Sequence, residues 1–434
     1  MQGLWPIPTA VTGIGLSLAA SVHAVLYKRD SRAAVAWVGL IWLVPFVGAV
    51  LYLLFGINRV RRRVAGTRGH ESDHISSLDP DVCSLEELLS ILPSDRKHLL
   101  EMARLGETLS GLALLRGNTV EPLVNGDEAY PAMLAALEKA QRSISMTTYI
   151  FDSGKIGRRF LEALGRAVER GVEVCVLVDA VGARYTYPPI SALLRERGIR
   201  TARFMSRVLA WRTPYLNLRN HRKILVVDGR LGFTGGMNIR GAHVLADTMT
   251  HPIRDVHFRV EGPVVQQLQA TFVEDWQFVT GELLSGELWF PTLPVSEGTV
   301  CARAIPDGPD KDMDKMSMAF QGALAVAHHT VRIATPYFLP ERHLITALNT
   351  CALRGVSVDI VVPERTNLRL VDWASMAQMW QILEWGCRVW LTPAPFDHSK
   401  LMLVDGILSL IGSSNWDARS LDRKSTRLNS SHYS

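Results

Sequence analysis

The chain has 434 residues, with 47 Lys or Arg against 42 Asp or Glu and a formal net charge of +5. That length holds two domains of ordinary size plus an anchor, and the basic balance suits an anionic partner, a lipid headgroup or a nucleic acid, without choosing between them. The cysteines (Cys83, Cys175, Cys301, Cys351, Cys387) are scattered, odd in number and never in a CxxC, which excludes a disulfide framework and a cysteine zinc site and fits a reducing compartment.

Pro8 to Tyr27 carries no charged residue and has about the length of a membrane span. Lys28 to Arg32 forms a short polar loop, and Ala33 to Gly56 is a second uncharged run with Pro45 inside it, which membrane helices tolerate. Residues 1–63 therefore read as a transmembrane hairpin. Arg59, Arg61, Arg62, Arg63 and Arg68 follow with no acid before Glu71, so the chain beyond the second span is expected on the cytoplasmic side.

Residues 64–115 read as a helical connector, in which Ser84 and Glu87 have the spacing of a capping box. Two similar halves follow, 116–295 and 296–421. Each offers a helix, a strand (Ser143 to Phe151; Val331 to Pro340), a second helix and a second strand. The second helix leads into that strand through Arg-Gly-Val at Arg170 and Arg354. Alternating strands and helices predict an α/β fold whose sheets are mainly parallel or mixed and flanked by helices.

The strongest signal is a repeated motif. His221-x-Lys223-x4-Asp228 returns as His398-x-Lys400-x4-Asp405. Each copy runs through apolar residues (ILVV; LMLV) to a turn ending in Asn: Gly235, Gly236 and Asn238 in one, Gly412, Ser413, Ser414 and Asn415 in the other. Side chains alternate along a strand, so each motif sets an imidazole and an ammonium on one face at a strand end, and the apolar runs predict strands buried on both faces.

The duplicated HxKxxxxD with its GG/GS-x-N turn resembles the phospholipase D superfamily, and more narrowly the bacterial cardiolipin synthases, with two spans ahead of two such halves. The resemblance implies that the halves pack face to face around one active site. Lys223, Lys400, Asn238 and Asn415 would then hold the nonbridging oxygens of one phosphodiester, with Gly236 and Ser413 supporting them. One neutral histidine attacks phosphorus and the other, protonated, serves the leaving and entering hydroxyls. The resemblance assigns His221 as nucleophile and His398 as acid/base; the residues alone leave the order open. Asp228 and Asp405 belong to the motif, yet their distance from the lysines suits a turn better than substrate contact. Asp255, in RDVHFRVEGP, is the candidate carboxylate to set an imidazole tautomer, with a loop ion pair to Arg254 as the alternative; His257 and Glu261 are open in the same way. Tyr149 and Tyr337 line either the entrance or the core. The run Trp211, Arg212, Tyr215, Leu216, Arg219, Arg222 reads as a membrane-facing segment or a solvated loop. No metal cluster or cofactor motif is present, and none is expected.

The implied function is a phosphatidyl transfer between two phosphatidylglycerol molecules at a bacterial inner membrane, with anionic phospholipids and the membrane as partners and no nucleic acid. A phospholipase D or nuclease, and a non-catalytic membrane scaffold, are the competing readings. After NWDARSL (Asn415 to Leu421) the pattern stops. The second half is expected to be truncated there, residues 422–434 to be an unstructured, foreign tail, and the carboxylate mirroring Asp255 to be missing.

Overall fold

The computed structural model describes residues 6–28, 31–57, 81–180, 182, 187–204, 220–247, 251–294, 297–307, 315–417 and 425–431. Two compact units emerge, Met1–Gly66 with Arg207–Asn217, and Thr67–Ser206 with Leu218–Ser434.

In the first unit α1 (Pro6–Tyr27) packs on α2 (Ser31–Leu43), and α3 (Val47–Leu51) runs into a π-helical turn, Tyr52–Gly56. Among the described residues no helix is long and apolar enough to cross a membrane. The run expected to be continuous from Ala33 to Gly56 is broken after Leu43. Pro45, which lacks an N–H, falls in the gap and leaves α2 with 13 residues. Helix α1 is 22 residues long, but Thr12, Ser17, Ser21 and His23 interrupt its apolar sequence. The arginine cluster from Arg59 to Arg68 lies outside the described residues, as does the stretch Trp211 to Arg219.

The second unit opens with α4 (Leu85–Ile91), a 3-10 turn (Ser94–Leu99) and α5 (Leu100–Ser110). The capping box is present: Ser84 Oγ accepts from Glu87 N–H at 3.1 Å and Glu87 Oε2 accepts from Ser84 N–H at 2.8 Å. Strand β1 (Leu115–Gly117) joins the sheet of the second half.

The first half contains β2 (Thr119–Val124), α6 (Asn125–Lys139), β3 (Ser143–Thr148), α7 (Lys155–Glu169), β4 (Glu173–Asp179), α8 (Ile190–Glu196), β5 (Arg200–Phe204), β6 (Ile224–Val227), β7 (Leu231–Gly235), β8 (Ile253–Arg254), β9 (Val256–Glu261) and α9 (Val264–Thr280). Its seven-stranded sheet runs β2-β9-β7-β6-β3-β4-β5. Only β3-β4-β5 are parallel; the other pairs are antiparallel, so the sheet is mixed. The second half repeats the plan with β10 (Gly298–Asp307), α10 (Lys315–Val326), β11 (Thr330–Ala334), β12 (Phe338–Leu339), α11 (Arg342–Leu353), β13 (Ser357–Pro363), α12 (Arg369–Leu383), β14 (Arg388–Thr392), β15 (Phe396–Asp397), β16 (Leu401–Val404), β17 (Leu408–Gly412), β18 (Trp416–Asp417) and β19 (Ser425–Ser431). Its order is β1-β10-β19-β17-β16-β11-β13-β14.

The mixed character comes from the motif hairpins. Asp228-Gly229 and Asp405-Gly406 all have positive φ (52° and 63°; 52° and 75°), the signature of a type I′ turn, and such a turn joins antiparallel strands. The repeated Arg-Gly-Val has a structural explanation as well. Arg170 donates to the Leu137 carbonyl at the end of α6, and Arg354 to Leu324 and Ala325 in the last turn of α10. Gly171 and Gly355 take the left-handed turn (φ 84° and 89°) that ends the next helix.

Two expectations are corrected. Strand β6 is buried on both faces, but in β16 only Met402 and Val404 are buried while Leu401 and Leu403 are half-buried. In the first half α9 packs against β3, β6 and β7; among the described residues no equivalent helix covers β16. Residues Ser425–Ser431, expected to lack structure, form β19, hydrogen-bonded along both edges to β10 and β17. The slot is defined by backbone N–H and C=O groups of its neighbours, which pair with any extended chain regardless of apolar periodicity.

The halves meet directly. Strand β15 of the second pairs with β8 of the first, Phe396 opposite Ile253. Ile224, Val226, Phe258 and Val265 share one apolar cluster with Val300, Ala302, Ala304 and Ile411.

Candidate active site

Each motif enters its hairpin in the same way. His221 and Lys223 form the extended lead-in to β6, and His398 and Lys400 the lead-in to β16. Lys223 Nζ donates to the His221 carbonyl at 2.7 Å, and Lys400 Nζ likewise to the His398 carbonyl. Both lysines are almost wholly buried.

The two imidazoles take their Nδ1 partners from opposite halves. His398 Nδ1 lies 2.7 Å from Asp255 Oδ2. The carboxylate accepts only, so it assigns the proton to Nδ1. Lys400 Nζ, 2.9 Å from the same nitrogen, therefore serves the carbonyl instead. Asp255 does not pair with Arg254. It is buried, its Oδ1 accepts from Val256 N–H at 2.8 Å, and Asn125 Oδ1 accepts from its own N–H at 3.2 Å. A Cβ at Gly236 would sit 2.3 Å from Asp255 Oδ1, so the glycine of the turn is what admits the carboxylate. His221 Nδ1 lies 3.2 Å from the Ser413 carbonyl of the second-half turn. That carbonyl again assigns the proton to Nδ1 and leaves Nε2 its lone pair.

Burial pushes the His398 imidazole well below its ordinary value, with Lys400, Lys223 and Arg240 adding to the effect. Burial raises the Asp255 carboxyl, opposed chiefly by Lys400. Burial and these cations thus favour a neutral His398, and an anion placed beside it would shift the balance toward imidazolium.

Asn238 Oδ1 accepts from Ile150 N–H at 3.0 Å, which fixes its amide at the turn, and its carbonyl accepts from Tyr130 Oη at 2.6 Å. Asn415 and Ser413 occupy the matching turn, both buried. Tyr149 faces His221 (ring centroids 5.2 Å) with Lys223 Nζ 5.7 Å from its ring; Tyr337 and Phe396 flank His398 at 6.4 and 6.0 Å.

Asp228 and Asp405 stand at the far ends of β6 and β16, away from the histidines. Asp228 accepts from the N–H groups of Gln141, Arg142 and Ser143, and Asp405 from those of His328, His329 and Thr330. Asp405 also takes His98 Nε2 at 2.7 Å. Glu261 is exposed and pairs with Arg259, outside the site. Arg222, expected on a membrane-facing or solvated loop, is buried and ion-paired with Asp275 at 2.9 Å. A long cation next to a motif is ambiguous in sequence, and here the partner comes from α9.

Sequence reasoning missed His243 and left His257 open. Both are buried beside the site, His243 with its ring 6.3 Å from that of His398. Burial lowers their imidazoles to about 3 and about 4, so both are neutral. By strand register Gly235 faces His257 and Gly412 faces Arg427, which puts Ser425 at the position that mirrors Asp255. No carboxylate stands there. Among the described residues no group of three His, Cys, Asp or Glu side chains is arranged to hold a metal.

Paired His/Lys hairpins meeting across two pseudo-equivalent halves define a phospholipase D-type phosphodiester-transfer fold. The phosphatidylserine synthase of Haemophilus influenzae Rd KW20 shares the fold, with a TM-score of 0.59 and 14% identity over 76% of this chain and 86% of that one. Residues 133–276 and 321–429 match the family described as cardiolipin synthase, PLD-like domain, and residues 15–56 match a phospholipase D-nuclease N-terminal family. Cardiolipin synthase of Geobacillus thermodenitrificans is 33% identical over 91% of this chain and 78% of its own length. Cardiolipin synthase A of Pseudomonas putida GB-1 is 33% identical over 95% and 85%. The chain belongs to the cardiolipin synthase family of the phospholipase D superfamily.

Proposed function

We propose that the protein is a membrane-bound phosphatidyltransferase that makes cardiolipin from two phosphatidylglycerol molecules and releases glycerol. The observation that carries this reading is the crossed pair of Nδ1 contacts, Asp255 to His398 and Ser413 to His221, which puts both motifs in one site. Their difference supports a division of labour. A carboxylate stabilises an imidazolium, which suits His398 as acid/base; a neutral carbonyl merely fixes the tautomer, which suits His221 as nucleophile.

In the first step His221 Nε2 attacks phosphorus, the bond from phosphorus to the glycerol headgroup oxygen breaks, and His398 gives that oxygen its proton. In the second a hydroxyl of another phosphatidylglycerol loses its proton to His398 and attacks phosphorus. The phosphorus–nitrogen bond breaks and both histidines return to their starting states. Lys223 and Lys400, with Asn238 and Asn415, offset charge on the nonbridging oxygens. The N-terminal helices would anchor the chain in a bacterial inner membrane with the two halves on the cytoplasmic side.

Full-length protein reconstituted into phosphatidylglycerol vesicles should produce cardiolipin and glycerol in equal amounts, with EDTA present. Phosphatidic acid as the main product, or turnover that EDTA abolishes and a divalent ion restores, would overturn the reading.

A further inference from the structure

Helix α12 carries apolar residues on two opposite faces, with Gln378 and Gln381 between them. Its inner stripe, Ser375, Met379 and Ile382, is buried against the second half, and Ser375 Oγ donates to the Phe338 carbonyl at 2.6 Å. Its outer stripe is equally apolar and uncovered: Leu370, Trp373, Met376, Trp380 and Leu383 are 77%, 68%, 56%, 61% and 49% exposed. A contiguous exposed apolar face marks a contact surface.

Two observations point to a lipid surface as the occupant. The first is continuity with the site. Tyr337, whose ring stands 6.4 Å from that of His398, donates its Oη to Asn367 Oδ1 at 2.5 Å, and Asn367 is two residues before α12 begins. The apolar face therefore starts where a headgroup must enter. The second is composition and charge order. Tryptophans sit at the boundary of a bilayer because their rings are apolar with one polar edge. The exposed cations Arg365 and Arg369 lie at the end nearest the site, where anionic headgroups would be, with Glu364 among them. The exposed acid Glu384 lies just past the opposite end, and Asp372 is half-buried between.

We propose that α12 lies in the headgroup–acyl boundary of the membrane, its Trp and Leu stripe inserted, and so presents the site to lipid substrates at the surface. The inference rests on the phosphatidyltransferase reading for its substrate, but not for its location.

The test uses the full chain in phosphatidylglycerol vesicles. The native cysteines are all buried, so M376C takes an environment-sensitive fluorophore selectively. Its emission should shift to the blue and be quenched by lipids brominated in the acyl chain. The double variant W373Q/W380Q should turn over vesicle phosphatidylglycerol roughly tenfold more slowly, since membrane binding scales with buried apolar area. It should retain wild-type turnover of dispersed short-chain phosphatidylglycerol, which also shows that it folds. A probe in water, a vesicle rate unchanged in the double variant, or a probe shielded by a second copy of the chain (M376C pairs cross-linking between copies) would each overturn the proposal. Wild-type protein that makes no cardiolipin from either substrate would sink the transferase reading alone, because the quenching still locates the helix.

Discussion

Asp228 and Asp405 carry the motif's name but hold its hairpins, and substitution by Asn separates the two roles. Both residues have φ 52°, a left-handed conformation that Asn tolerates nearly as well as any non-glycine residue, so backbone strain stays constant. What the change removes is the charge and one acceptor oxygen. At Asp405 the Oδ2 atom accepts from His328 N–H at 3.0 Å and from His98 Nε2 at 2.7 Å. Hydrogen bonds to a charged group contribute about 1.5–3 kcal/mol each, so D405N should cost about 3 kcal/mol. D228N loses one of the two oxygens shared by the Gln141 N–H, which lies 3.0 Å from Oδ2 and 3.2 Å from the retained Oδ1, and should cost about 1.5 kcal/mol, mostly through the lost charge. The carboxyl of Asp405 is held at about 2 against 3.8 by the backbone N–H groups of Thr330, His328 and His329 and by His98, which together outweigh its burial. Its folded value is the lower one. The contribution, about 2.5 kcal/mol, is therefore fully present above about pH 4 and lost as pH falls toward about 2. Thermal unfolding in detergent should show both variants melting several degrees below wild type, with turnover per folded molecule unchanged. A variant that melts like wild type but turns over a hundredfold more slowly would refute the assignment and place that carboxylate in the chemistry.

The remaining expectations concern the crossed contacts. H221A and H398A should each reduce cardiolipin formation to background, and the double variant should be no worse than either single one, because the two imidazoles act as a unit; substantial residual turnover in one would break the single-site reading. D255N should lower turnover by roughly a hundredfold or more. The pH–rate limb of protonated His398 should move to lower pH, because the neighbouring negative charge that favours imidazolium is gone; a pH profile identical to wild type would limit Asp255 to packing.

Much of the site was legible because duplication repeats chemistry at fixed spacing. Two His-x-Lys pairs, two Asp-Gly turns and two Arg-Gly-Val segments leave little room for coincidence, and each has a mirrored structural partner. Asp255 was visible as a carboxylate near an imidazole. That it serves His398 of the other half was not, since a long-range partner leaves no periodic trace. Arg222 shows the same limit: its neighbours in sequence are basic and aromatic, but its partner Asp275 is on α9. Strand β19 escaped notice because an interior slot is filled by backbone pairing, which composition does not report. His243 stood outside the motifs and gave no signal beyond being a histidine.

The crossing of the Nδ1 contacts has a consequence for what the duplicated halves can do apart. His221 depends on a carbonyl from the second half, and His398 on a carboxylate from the first. The proton on each imidazole is therefore set by how the halves dock, and the docking is set by the apolar cluster joining Ile224, Val226 and Phe258 to Val300, Ala304 and Ile411. An isolated half would keep a complete HxKxxxxD sequence and lose the group that fixes which nitrogen of its imidazole carries the proton. Packing between the sheets is in this sense part of the chemistry. The second half in turn lacks a carboxylate at the position of Ser425, so the pair is unequal by construction. That inequality, one imidazole against a carboxylate and one against a carbonyl, is what would let two copies of one motif take the two roles proposed for them.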